Sequence, residues 1–373
     1  MKAKNLDSFK GCLFGGAIGD ALGYAVEFLN IEQIRELYGP MGITQLQLVD
    51  GKALVSDDTQ MTLFTANGIL TGMTREHLTG TRRPMDRYLH NAYMDWQRTQ
   101  RIVLRERGGS VESWLFNVPA MHSVRAPGGT CLRSLSSGVM GTIEHPINTS
   151  KGCGGVMRVS PIALYFDPAR YPQDDIDMLG ARSAALTHGH PLGFISAAAL
   201  VHIISLCAYG DFAGDNALYD IVRDCIGMLG RLFADYPKTA KLQGLLQDAI
   251  DLSLESENDV TAIATLGEGW VAEEAVAIAV YCALKYRDDF TAALIAAVNH
   301  SGDSDSTGSI TGNILGTRLG YNRIPTSLVD DVELFGVLTE LACDLYTDAA
   351  APDAAHCETD AWQRKYVKAD YRL

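Results

Sequence analysis

Glycine returns every fourth residue in two separate stretches of this chain, at Gly11, Gly15, Gly19 and Gly23 and again at Gly308, Gly312, Gly316 and Gly320. Residues four apart stack on one face of a helix, and each glycine inside a helix costs about 1 kcal/mol against alanine. A face stripped of side chains is useful only where another backbone or a ligand comes very close. Each stripe also borders acid: Glu27 follows the first, and Asp303 and Asp305 precede the second. The spacing therefore predicts two helices that crowd one site. The alternative is that these glycines cap or kink shorter helices.

The rest of the pattern is helical almost throughout. Apolar runs at helical spacing recur from 9–24 and 57–71 through 192–209 to 331–347, whereas strand alternation is scarce, with Ile43 to Val49 the best match. This predicts an all-α chain with at most minor β, built as one compact domain over 1–348. The tail over 349–373 is expected to pack on the surface or fray. Two glycine-, proline- and serine-rich stretches, near 105–155 and 255–270, read as long loops, and loops of that length tend to be functional. Leu192 to Tyr209 is long and apolar enough to resemble a membrane span, but it contains Ser196 and His202 and has no flanking basic cluster. A buried central helix is the expectation.

With 47% hydrophobic and 20% charged residues the chain can bury a large core, and its net charge of −14 argues against nucleic-acid or anionic-membrane partners. Eight cysteines without a C-x-x-C pair read as reduced thiols. The first residues lack the apolar stretch of a secretory signal, so a cytoplasmic location is expected.

Two acid-rich segments lie inside this apolar sequence: Ser56-Asp57-Asp58-Thr59 and Gly302-Asp303-Ser304-Asp305-Ser306-Thr307-Gly308. Carboxylates buried together demand a compensating positive charge. A donor set of aspartates and hydroxyls is hard and oxygen-only, which suits Mg²⁺, Mn²⁺ or Ca²⁺. Read alone, the first segment is a helix start, with Ser or Asp as N-cap and Gln60 placed for a capping box. The second matches the first half of an EF-hand loop, but Ile314 stands where the twelfth-position glutamate is required.

In order along the chain come Gly19-Asp20-Ala21-Leu22-Gly23 with Glu27-Phe28, the two acidic segments, Lys151 to Pro161, Thr187-His188 and Gly267-Glu268-Gly269-Trp270. This set, spread over about residues 9–320, resembles the motifs of the ADP-ribosylglycohydrolase family. The resemblance implies an orthogonal helical bundle with a binuclear centre of two Mg²⁺ (or Mn²⁺). Ser56, Asp57, Asp58, Asp303, Asp305 and Ser306 would be its ligands, and Glu27 the catalytic carboxylate. It also implies a ligand cleft lined by Ser150, Lys151, Gly152, Gly154, Gly155, Met157, His188 and Trp270, the glycine-rich turn offering backbone N–H groups to a diphosphate. Segments near 72–115 and 230–260 look like insertions beyond a minimal family core.

The implied reaction is metal-dependent removal of ADP-ribose from a modified protein side chain, with arginine as the leading acceptor. The partners would be the ADP-ribosylated substrate, ADP-ribose itself and, by analogy with bacterial immunity proteins of the family, an ADP-ribosylating toxin. Ala126 stands where arginine-specific members carry an acid, and Arg125 beside it would repel a cationic acceptor. Two other readings remain open: a non-catalytic binding or structural protein on the same scaffold, and a metal-dependent nucleotide phosphohydrolase.

Overall fold

The two glycine stripes meet each other. In the computed structural model, which describes residues 1–100, 110–351 and 354–373, the helix Leu6–Tyr24 lies along the helix Ser304–Leu319. A Cβ placed on Gly11 would stand 2.0 Å from the Gly316 carbonyl oxygen, one on Gly15 2.3 Å from that of Gly312, and one on Gly19 2.0 Å from that of Gly308. The reverse substitutions collide just as hard: a Cβ on Gly312 would sit 1.9 Å from the oxygen of Gly15. The pairing order shows that the helices run antiparallel. Gly23 meets the backbone of Ser304 and Asp305, so the contact ends where the second acidic segment begins. Gly320 departs from the stripe: it closes the second helix with φ of +85°, a conformation that favours glycine.

Around this pair the described residues form seventeen α-helices and one two-stranded ribbon, Leu48–Val49 against Lys52–Ala53. The chain is all-α. The expected strand over 43–49 shrinks to its last two residues, because Ile43 pairs instead with a side chain. Asn299 accepts from its N–H at 2.8 Å and donates to its carbonyl at 2.8 Å. Short helices at Gly129–Ser136 and Asp259–Leu266 interrupt the stretches read as loops. The parts of the 72–115 and 105–155 segments that fall on 101–109, and residues 352–353 of the tail, lie outside the described residues.

The Pro191–Tyr209 helix is the apolar centre. Its most hydrophobic window is 94% buried within the protein, packed by the helices Gln173–Ala185, Ser304–Leu319, Ala272–Lys285 and Ala217–Leu232. Its length and apolarity thus serve a core helix. At the C-terminal end Trp362 and Tyr366 are buried, and the Trp362 indole donates to the Thr74 hydroxyl at 2.8 Å. That stretch of the tail docks on the Asp57–Thr79 helix rather than fraying.

Candidate metal centre

The first acidic segment is both a helix cap and part of a site. Ser56 caps the helix Asp57–Thr79, its hydroxyl accepting from the Asp58 N–H at 3.1 Å. Gln60 forms no capping box. Its side chain reaches away to the Trp96 indole and to the Ser123 carbonyl. Asp57 accepts from the Gly128 N–H at 2.9 Å. What fixes the segment is Asp20, from the glycine-striped first helix. Its carboxylate accepts from the Ser56 N–H at 2.9 and 3.1 Å and from the Thr59 N–H at 3.0 Å. Sequence reasoning assigned Asp20 no role, although it stands in the Gly19-to-Glu27 motif.

The second segment opens the other glycine-striped helix. Asp303 is its N-cap residue, and Asp305 lies in its first turn and accepts from the Ser306 N–H at 2.9 Å. Gly302 allows the strand of backbone at Glu268 to pass: a Cβ there would stand 1.9 Å from the Glu268 oxygen, which accepts from the Asp303 N–H at 2.8 Å. Gly269, next to Trp270, is thereby held against Asp303. Antiparallel packing of the two smooth helices brings the end of one to the start of the other, so Glu27 arrives at Asp303 and Asp305. One carboxylate oxygen from each of these three lies within 4.8 Å of the other two.

Asp57 and Asp58 fall outside that tight triad but face it. Burial pushes the carboxyl of Asp58 well above its ordinary range, and the charges of Asp305, Asp20, Asp57 and Asp303 add to the rise. Burial, then Asp305 and Asp57, lifts Glu27 to about 9, and burial with Asp305 lifts Asp20 to about 7. Asp57 and Asp303 move the same way, with burial the main cause. Among the described residues no Lys or Arg pairs with any of these acids. The nearby cations are engaged elsewhere, Arg125 with Glu333 at 3.2 Å and Lys151 with the buried Glu273. The Asp58 Oδ2 and Glu27 Oε2 atoms are buried without any hydrogen-bond partner. Crowded, unpaired, hard oxygen donors are a fit for divalent cations.

The other expected site residues fall into three places. Ser150, Lys151, Gly152, Gly154 and Gly155 form one turn, clamped to the 270–272 segment by Cys153 N–H to the Trp270 carbonyl and Ala272 N–H to the Lys151 carbonyl. Its N–H groups are not all free for an anion, since that of Gly152 donates to the Ser150 hydroxyl at 3.3 Å. Lys151 and Lys241 share the one Glu273 carboxylate, which leaves a net positive charge beside the turn. His188 is buried under the turn against Gly154 and Gly155, bonded to Thr187 at 2.9 Å, and burial with Arg158 nearby lowers it to about 3. Met157 is a core residue. Trp270 and Phe28 are exposed and stacked, with centroids 6.3 Å apart and planes 18° from parallel. A cavity of about 410 Å³ lined by Thr130, Arg133, Asn148 and Ser150 opens beside the turn. A larger one, about 710 Å³, is lined by other residues such as Arg82, Tyr171 and Leu179 and involves none of the carboxylates of the centre.

An all-helical protein with a buried acidic centre suited to divalent cations is the class that this fold and site define. Within it, the chain belongs to the ADP-ribosylglycohydrolase family, whose family model matches residues 1–355. An uncharacterized protein of Archaeoglobus fulgidus is 27% identical over 349 residues, covering 91% of this chain and 96% of the relative. ADP-ribosylhydrolase ARH3 of Danio rerio is 25% identical over 376 residues, covering 91% and 90%, and that of Mus musculus 22% over 377 residues, covering 92% of each. A solved structure titled ADP-ribosylglycohydrolase-related protein complex shares the fold, with a TM-score of 0.63 at 21% identity over 92% of this chain and 98% of that one.

Proposed function

We propose that this protein hydrolyses the glycosidic bond between ADP-ribose and a modified protein side chain. Ser56, Asp57, Asp58, Asp303, Asp305 and Ser306 would hold two divalent cations, Mg²⁺ or Mn²⁺. The observation that carries the reading is the buried carboxylate cluster, paired with no Lys or Arg among the described residues and with two orphaned oxygens, in a chain of this family. Bound cations would supply Lewis-acid polarisation and orientation of the ribose hydroxyls.

The chain's own residues supply the rest. Departure of the acceptor leaves oxocarbenium character on the ribose, so a nearby carboxyl must move a proton between water and the leaving group. Glu27 fits, because its Oε2 is buried and unpartnered beside the acids that would hold the cations. Its closeness to Asp303 and Asp305 supports that role. The stacked Phe28 and Trp270 rings would shield the mouth from bulk water, and the cavity beside Ser150 leaves room for the rest of the ligand.

The arginine linkage is the first acceptor to test. Arg125 is neutralised by Glu333 and no longer opposes a guanidinium. Arginine- and serine-ADP-ribosylated proteins are incubated with the protein, with and without Mg²⁺, and the products weighed by mass spectrometry. Free ADP-ribose formed only with Mg²⁺ is the expected result. AMP or ribose phosphate instead would mean P–O cleavage and a phosphohydrolase. No product from either substrate, with the metal bound, would leave the binding-protein reading.

A further inference from the structure

One residue at the centre does not belong to an oxygen-only ligand set. Cys153 begins the turn Cys153–Gly155, and its Sγ donates to Asp303 Oδ2 at 2.7 Å. A sulfur is larger than a nitrogen, yet this contact is shorter than the usual about 2.9 Å of an N–H···O bond. Zinc bonds sulfur at about 2.3 Å and carboxylate oxygen at about 2.0–2.2 Å, so two donors on one tetrahedral ion stand roughly 3.5 Å apart, and the pair has to open by under about 1 Å to share a cation. The turn cannot easily swing the thiol away, because the Cys153 N–H is bonded to the Trp270 carbonyl at 3.3 Å. Burial, then the Asp303 and Asp58 charges, push the Cys153 thiol up, so it ionises only against a bound cation. Asp58 Oδ2 and Glu27 Oε2, both buried in the same centre, have no partner. The nearest comparable thiol, Cys131, points instead at the Gly154 carbonyl and Arg158.

We propose that Cys153 is a metal-specificity residue, an extra soft donor that lets zinc or cadmium occupy the centre in place of the hard cations. The inference rests on the reading of the acids as a metal centre. Thiolate selects soft and borderline dications, whereas carboxylates with water suit magnesium and manganese. On binding, the S–H bond breaks heterolytically, its electron pair forms the sulfur–metal bond and the proton leaves to the buffer. No oxidant or reductant takes part. A soft ion seated on Cys153 and Asp303 would displace a hard ion from the ligand set that polarises the sugar, so zinc should inhibit the protein competitively with magnesium.

The test is a pair of titrations on the full chain after chelator treatment, with Cd²⁺ and with Mn²⁺, on the wild type, Cys153→Ser and Cys153→Ala. Cd²⁺ is followed by calorimetry and by the ultraviolet thiolate-to-cadmium charge-transfer band, Mn²⁺ by electron paramagnetic resonance, and folding by circular dichroism. The wild type should show the band, and both variants should lose it. Cd²⁺ affinity should fall on the order of 10- to 100-fold, the range seen when a metal site loses a ligand or its support, while Mn²⁺ affinity changes much less. A band that persists in Cys153→Ser, or equal losses for both ions, overturns the role of the thiol while leaving the metal centre standing. A wild type that binds neither ion overturns both.

Discussion

Asp305 is the carboxylate that the others feel most. Its charge adds to the burial that raises Asp20, Glu27, Asp57, Asp58 and Asp303. Asp305→Asn should therefore act in opposite directions on metal binding and on the metal-free fold. On the proposed reading it removes a hard, charged ligand, so Mg²⁺-dependent turnover should fall by orders of magnitude. It also relieves crowding, so the metal-free variant should be more stable than the metal-free wild type by about 1 kcal/mol, the scale of other exchanges of function for stability. Denaturant melts in chelator and in Mg²⁺ would show the two signs, and a variant destabilised in chelator would contradict the repulsion argument. The acids themselves were legible in sequence because clustered charge in apolar surroundings is rare. Asp20 and Cys153 were not, because each acquires its meaning from a partner 36–39 or 150 residues away.

At the scale of elements, the glycine stripes said that something must come close, and the fold shows that each is the other's neighbour. Gly312→Ala would add a methyl 1.9 Å from the Gly15 oxygen. The backbone has to move, and overpacking of about 1–3 kcal/mol or more outweighs the roughly 1 kcal/mol that alanine adds to helix propensity. Gly227 lies in the middle of the Ala217–Leu232 helix with no atom within 4 Å of an added Cβ. Gly227→Ala should stabilise by up to about 1 kcal/mol. Opposite shifts in denaturation midpoint are the expected outcome, and equal shifts would refute the close-approach account.

A second link between elements is a buried imidazole. His202, on the Pro191–Tyr209 helix, bonds Asp177 at 2.7 Å and Asp224 at 2.9 Å, on the helices before and after it. Burial works against its charge, but the two aspartates outweigh burial and raise it from its ordinary 6.5. The folded state therefore holds this proton more tightly than the unfolded chain. The stabilisation is fully present below about pH 6.5 and fades as pH rises through the raised value. His202→Asn should cost on the order of 3 kcal/mol at pH 6, because it strips the wholly buried Asp177 of its cation, while the pair with half-exposed Asp224 adds little. The difference from wild type should shrink toward pH 9. A difference independent of pH would mean that the imidazole is neutral. Such a clamp was invisible in sequence, where a lone His in an apolar run carries no partner. The helices Ile31–Tyr38 and Asp360–Tyr366 were missed for another reason, being too short to show a period.

For the whole molecule, the all-α class followed from helical periodicity along the chain, and the family from motifs held in order over most of its length. Their convergence in space was beyond periodicity, since it depends on two smooth helices aligning antiparallel. If the acids hold a cation as proposed, that convergence would couple its binding to the stability of the entire fold. In the metal-free state Asp20 near 7 and Glu27 near 9 stand above their unfolded values of about 3.9 and 4.3, so the native state binds more protons than the unfolded chain. Stability must then fall as pH rises through that window, the reverse of an ion-paired carboxylate. A divalent cation bound there would displace those protons and neutralise the cluster, so its affinity should rise with pH and protons should be released on binding. The stabilisation it confers grows with the logarithm of its concentration over its dissociation constant. The increase in melting temperature given by a fixed concentration of Mg²⁺ or Mn²⁺ should accordingly be small near pH 5.5 and larger near pH 8. Calorimetry in buffers of different ionisation enthalpy should count the protons set free. If the increase were the same at both pH values and no proton were released, the acids would not be the place where the cation binds.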